Sequence, residues 1–108
     1  METTDTREVA STDPSSLTED EAYAVGGLLF MMFRGYETSF FHHRERLLTD
    51  DVFRGISKSV EDWVATPLFP IWWAARRANF STAFASYVDG LGNRLRTEGT
   101  SRSGPPAA

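Results

Sequence analysis

The chain has 108 residues, a formal charge of −4 and no cysteine. This length allows one small domain, and the lack of cysteine excludes disulfides, thiolate nucleophiles and zinc–thiolate sites. Acids dominate the first 21 residues, and no block of Lys or Arg forms the basic footprint that nucleic-acid binding requires. We therefore expect no nucleic-acid partner. Without a basic and then apolar leader, the sequence favours a cytoplasmic location.

Both ends are polar and lack an apolar period. Residues 1–17 are rich in Ser, Thr and acids, and residues 97–108 contain Gly, Ser and two prolines. Such composition is typical of disordered tails. The predicted organisation is a disordered acidic tail over 1–17, a helical domain over 18–96 and a disordered tail over 97–108.

The first predicted helix begins at a capping box, Thr18 to Glu21, and runs close to Leu48, over about 28 residues. Its segment from Ala22 to Phe33 carries no charge and has apolar side chains in every direction. A helix of that kind has to be buried on all sides. Its 12 residues rise only about 18 Å, too short to cross a bilayer core of about 30 Å.

Three further helices are predicted. Thr49 is the expected N-cap of the second, which should carry an Asp50–Arg54 pair on its outer side. The third should run from Pro67 to about Ala78. Ser81 should cap the fourth, which ends near Leu95 with the inward set Phe84, Tyr87, Val88 and Leu91. Since no segment alternates with period two, the predicted fold is all-α, a small bundle of about four helices with a long first helix.

The adjacent histidines are the first candidates for chemistry. On a helix His42 and His43 point about 100° apart, so they cannot easily grip one ion. Glu45 is three residues from His42 and could supply a second ligand, but no spacing offers a third. We predict no metal site, no catalytic residue and no cofactor, with one histidine on the polar face and one at the bundle edge.

Two other features concern aromatic and charged residues in the middle of the chain. Trp73 with Arg77 four residues later fits the pattern of an interface anchor, although core packing of the indole is the favoured interpretation. Glu37 lies among aromatic residues and should need a cationic partner. We expect a buried ion pair between Glu37 and Arg76 or Arg77, with Arg76 the first choice.

The apolar segment of the first helix gives the main functional expectation. Three short helices cannot cover every side of it, so Leu28, Met31 and Met32 become candidate interaction residues, together with Trp73 and Arg77. The sequence predicts a non-enzymatic helical interaction module that forms a homodimer or binds a partner protein. The alternatives are a peripheral membrane protein using the same helix, and a small-ligand binder or enzyme around Glu37, His42 and Arg76.

The stretches FRGYETSFFHHRERLLTDDVF and PLFPIWWAARRANFSTAFASYVDGL carry a resemblance. An aromatic-Glu helix, a Leu-Leu-Thr-Asp restart and a Trp-Trp-x-x-Arg-Arg segment make the chain similar to an uncharacterised small helical bacterial domain. Such domains often lie beside membrane segments, which implies attachment to the inner face of a bacterial membrane. The chain departs from that pattern because it has only the short apolar run at Ala22. The resemblance implies a fold and no particular activity.

Overall fold

The computed structural model describes residues 13–103, with side chains to residue 98. A 3₁₀ turn at Pro14–Ser16 is followed by four α-helices: α1 (Glu19–Arg44), α2 (Asp50–Val64), α3 (Phe69–Arg76) and α4 (Thr82–Ser103), with a second 3₁₀ turn at Arg77–Asn79 between the last two. No strand occurs within this part of the chain. The predicted fold class, a four-helix bundle with a long first helix, is confirmed.

Three of the four predicted helix starts are confirmed by their caps. The Thr18 hydroxyl accepts from the Glu21 N–H at 3.1 Å, and the Glu21 carboxylate accepts from the Thr18 N–H at 2.9 Å, which is a complete capping box. The Thr49 hydroxyl accepts from the Val52 N–H at the start of α2. Ser81 caps α4 by accepting from the Phe84 N–H.

α1 ends earlier than predicted, at Arg44 and not near Leu48. The Leu47 N–H donates to the His42 carbonyl oxygen and the Arg46 N–H donates to that of His43. These two bonds form a Schellman motif, and Arg46 occupies its left-handed position with φ 63°. The turn satisfies the last carbonyl groups of the helix and reverses the chain into α2.

α3 is shorter than the predicted Pro67–Ala78, because the chain makes a turn from Thr66 to Phe69 before it and a 3₁₀ turn after Arg76. α4 is longer than predicted and passes the expected boundary at Arg96 to reach Ser103. Leu17, assigned to the disordered tail, packs against the core. Pro14–Ser16, also assigned to that tail, form the first 3₁₀ turn with Asp13 as its N-cap. Predicted tail residues 1–12 and 104–108 lie outside the described residues.

The core is aromatic and centres on Phe33 of α1, whose side chain is fully buried. Its ring lies 5.3 Å from that of Trp72 and 6.4 Å from that of Phe84, so one residue joins α1, α3 and α4. A hydrogen bond of 2.6 Å between the Ser57 and Tyr87 hydroxyls ties α2 to α4. Burial of rings of this size is the main stabilising term in a domain this small.

None of the helices in the described ranges has both the length and the apolar character to cross a membrane.

Candidate interaction surface

The outward side of α1 is apolar and uncovered over its first half. We call the outer strip the five residues Tyr23, Ala24, Gly27, Leu28 and Met31. Tyr23 is 84% exposed, Met31 72% and Leu28 46%. No charged residue lies between Glu21 and Arg34, so this surface is a continuous apolar patch on a helix.

The opposite side of the same helix packs into the core. Val25, Leu29 and Phe33 are buried, and Met32 is partly buried against them. The interaction residues predicted from the sequence therefore separate. Leu28 and Met31 lie on the outer strip, whereas Met32 turns inward and belongs to the packing of the domain.

The adjacent glycines Gly26 and Gly27 of α1 have different surroundings. A Cβ at Gly26 would lie 3.4 Å from Trp72 Cδ1, an ordinary contact with the indole of α3. A Cβ at Gly27 would meet no atom within 4 Å. Glycine within a helix costs about 1 kcal/mol relative to alanine. At Gly27 no packing among the described residues offsets that cost.

Trp73 and Arg77 meet at a residue that the sequence analysis missed, Asp89 of α4. The Trp73 indole N–H donates to Asp89 Oδ1 at 2.8 Å, and Arg77 donates to Oδ2 from Nε at 2.9 Å and from Nη2 at 2.6 Å. Trp73 is only 7% exposed. The indole therefore packs in the core, and the choice of Trp73 as an exposed interaction residue is wrong.

The hydrogen bonds from Arg77 hold the pKa of Asp89 below its usual value. The carboxylate faces a shallow groove of about 780 Å³, where α3 and α4 meet the end of α2. Since three donors already bind its oxygens, Asp89 is placed as a structural anion and not as a general base. A signal existed in the sequence: Asp89 is the only acid between Asp62 and Glu98.

The predicted Glu37–Arg76 ion pair is not formed. Glu37 Oε1 accepts from Arg34 Nη1 at 3.1 Å, and Oε2 accepts from the Ser81 N–H at 2.8 Å. Arg76 instead lies over the Phe30 ring at 6.0 Å from its centroid. The Glu37 carboxylate thus accepts a hydrogen bond at the start of α4, where the first N–H groups have no partner inside the helix.

The two histidines lie as expected, one on the polar face of α1 and one at the edge of the bundle. His42 is exposed, while the ring of His43 stacks on Phe53 at 4.2 Å and its Nε2 lies 2.7 Å from Asp50 Oδ1. The predicted Asp50–Arg54 pair is replaced by one between Arg54 and Asp51. Among the described residues, no group of three or more His, Asp or Glu side chains could hold a metal ion.

Glu37, His42 and Arg76, the residues proposed for a ligand or catalytic site, do not form a constellation. Glu37 and His42 are five residues apart on α1, which places them about 140° apart around the helix. Glu37 binds Arg34 and Ser81, whereas Arg76 lies over the Phe30 ring.

Comparison of the chain with protein-family profiles, with curated proteins and with solved structures gave no match. The resemblance to a bacterial helical domain stays a prediction.

Proposed function

We propose that the protein is a non-enzymatic helical interaction module that associates through the outer strip of α1. One observation carries the proposal: a helix with an uncharged segment buries one side completely and leaves Tyr23 and Met31 largely exposed on the other. Large apolar side chains in one contiguous exposed patch are typical of association surfaces. A flexible methionine within the patch suits an adaptable contact.

The polar clusters support a structural role more than a catalytic one. Asp89, Glu37 and His43 each have a partner inside the fold. The Thr49 hydroxyl near His43 is used in capping α2. A hydroxyl nucleophile paired with a histidine base, which acyl-transfer chemistry commonly uses, is not among the hydrogen bonds of the described side chains.

The proposal is tested by light scattering over a tenfold range of micromolar concentrations, comparing the wild type with Met31→Asp and Val52→Asp. Val52 is also an exposed apolar residue, 50% accessible, but lies on α2. We expect the wild type and Val52→Asp to gain mass with concentration and Met31→Asp to stay a monomer. A single-chain mass for all three proteins would contradict self-association through the strip.

Flotation of the same variants with vesicles of mixed zwitterionic and anionic phospholipid tests the alternative function, a peripheral membrane protein that binds lipid through the same helix. Monomers that float with vesicles, and lose this on Met31→Asp, would show that the strip meets lipid. The charges next to the strip disfavour this result. Glu19, Asp20 and Glu21 precede it and would be repelled by anionic lipid, while Arg34 alone follows it closely.

A further inference from the structure

The two most exposed large side chains of the outer strip are spaced evenly about Gly27. Tyr23 and Met31 lie four residues before and four residues after Gly27. We propose that α1 pairs in antiparallel orientation with α1 of a second copy, on a two-fold axis that passes beside Gly27. This inference rests on the proposed function and specifies the partner and the register of the same surface.

The helical geometry places these residues in matching positions. Four residues correspond to about 6 Å along the axis and about 40° around it. In a two-fold antiparallel pair, Tyr23 of one subunit therefore lies level with Met31 of the other, near the seam. The two Gly27 residues face each other at the centre. Large side chains then alternate with an open position, which is the shape that two copies need to interlock.

Gly27 lets the backbones approach. Packed helices lie about 8–10 Å apart and their Cα atoms sit about 2.3 Å from each axis, so facing Cα atoms come within roughly 3.4–5.4 Å. Little side chain fits at the lower end of that range. A Cβ at Gly27 has open space within the monomer, so the second copy supplies a reason for glycine at this position.

The charges agree with the same register. Asp20 and Arg34 lie seven residues on either side of Gly27, about 10.5 Å along the helix and within about 20° of its direction. Antiparallel pairing brings Asp20 of each subunit to Arg34 of the other, at both ends of the strip. Parallel pairing would set Asp20 beside Asp20. Arg34 is 46% exposed in its side chain. Its guanidinium donates to Glu37 and lies over the Phe30 and Phe80 rings at 5.0 and 4.9 Å.

The size of the strip sets the strength that we expect. From Asp20 to Arg34 it is about 21 Å long and about 10 Å wide, so the contact falls below the roughly 1,200–2,000 Å² of a standard stable interface. The dimer should therefore be weak and concentration-dependent. Leu28, at the edge of the strip, would extend it beside Ala24 of the other copy.

Single-cysteine cross-linking tests the register, because the chain has no cysteine of its own. The facing Cα separation derived above overlaps the 4.4–6.8 Å range of disulfides. Under mild oxidation we expect Gly27→Cys to form several-fold more covalent dimer than Gly55→Cys, the matched control on α2. A Cβ at Gly55 also meets no atom within 4 Å.

An equimolar mixture of Tyr23→Cys and Met31→Cys should yield mainly the mixed dimer, several-fold above either variant alone. If Tyr23→Cys alone formed as much covalent dimer as the mixture, the helices would pair in parallel and the proposed register would be overturned. A dimer in light scattering with no preferred cross-link at Gly27 would also overturn it, while leaving the proposed function intact. A monomer without cross-links at any concentration would reject both.

The charge pairing has its own matched test. Asp20→Arg and Glu19→Arg change the net charge equally and both remove an acid from the first turn of α1. Only Asp20 lies on the seam, opposite Arg34 of the other copy. We expect Asp20→Arg to raise the dimer Kd several-fold more than Glu19→Arg. Equal effects of the two variants would remove the Asp20–Arg34 contact from the proposed interface.

Discussion

The Trp72 indole N–H donates a hydrogen bond of 3.0 Å to the carbonyl oxygen of Gly26. The two residues are 46 positions apart, and the bond fixes α3 against the first half of α1. Trp72 is 7% exposed, so its ring fills the core while its only polar atom is satisfied. The contact sets which side of α1 is buried and leaves the outer strip uncovered.

Replacing this indole should weaken the whole bundle. Trp72→Phe removes the hydrogen bond and leaves part of the ring's volume empty, and together these losses should cost about 2 kcal/mol of the free energy of unfolding. Urea denaturation monitored by circular dichroism measures the change. Gly26→Ala is the matched control, since its methyl group makes an ordinary contact at 3.4 Å and the indole stays. Equal stability of Trp72→Phe and the wild type would contradict the anchoring role.

The starts of α1, α2 and α4 could be predicted because they depend on local chemistry. Thr18, Thr49 and Ser81 accept from N–H groups three residues ahead, and these spacings are visible in the sequence. The bond from Glu37 to Ser81 and the partners of Asp89 could not be predicted, because they depend on how separate helices are arranged. Glu37 bonds 44 residues away and Asp89 bonds 12 and 16 residues away.

The outer strip was predicted only in part. Apolar residues on every side of α1 indicated that part of its surface would remain uncovered. Leu28 and Met31 were predicted to lie on that part, and they do. Which methionine faces outward depends on the rotation of α1 against α3. Met32 therefore could not be separated from Met31 until the positions of Gly26 and Trp72 were known.

Acid should destabilise the protein through Asp89. Its folded pKa is lowered, chiefly by hydrogen bonds from Arg77. Its contribution to stability is therefore complete above the unfolded pKa of about 3.9 and is lost as the pH falls through the folded pKa. We expect Asp89→Asn to be less stable than the wild type at neutral pH, and the difference to shrink below about pH 4.

Urea unfolding at a series of pH values measures this difference. Asp51→Asn is the control, since Asp51 pairs with Arg54 on the surface and its side chain is 86% exposed. An Asp89→Asn curve that stays parallel to the wild type down to the lowest pH would show that the Arg77 and Trp73 contacts do not depend on the charge of Asp89.

Glu37 should stabilise the start of α4. Its Oε2 is the acceptor for the Ser81 N–H, and its side chain is only 15% exposed. Glu37→Ala leaves that partly buried donor without its acceptor, which should cost about 1–3 kcal/mol. Glu37→Gln keeps an oxygen in place and should lose less than half as much. Hydrogen exchange at the Ser81 amide reports the bond directly, and unchanged exchange in Glu37→Ala would show that water replaces the carboxylate without loss.

Arg46 offers a stabilising change at the end of α1. It has φ 63°, a left-handed conformation that glycine adopts with much less strain than residues with a side chain. Arg46→Gly should raise the free energy of unfolding by about 0.5–1 kcal/mol, after the greater flexibility of glycine in the unfolded chain is counted. Arg46→Ala removes the same charge but keeps the strain, so it should bring no such gain. Thermal and urea unfolding of the two variants measure the difference, and an equal gain in both would assign the effect to the lost arginine side chain and not to the backbone.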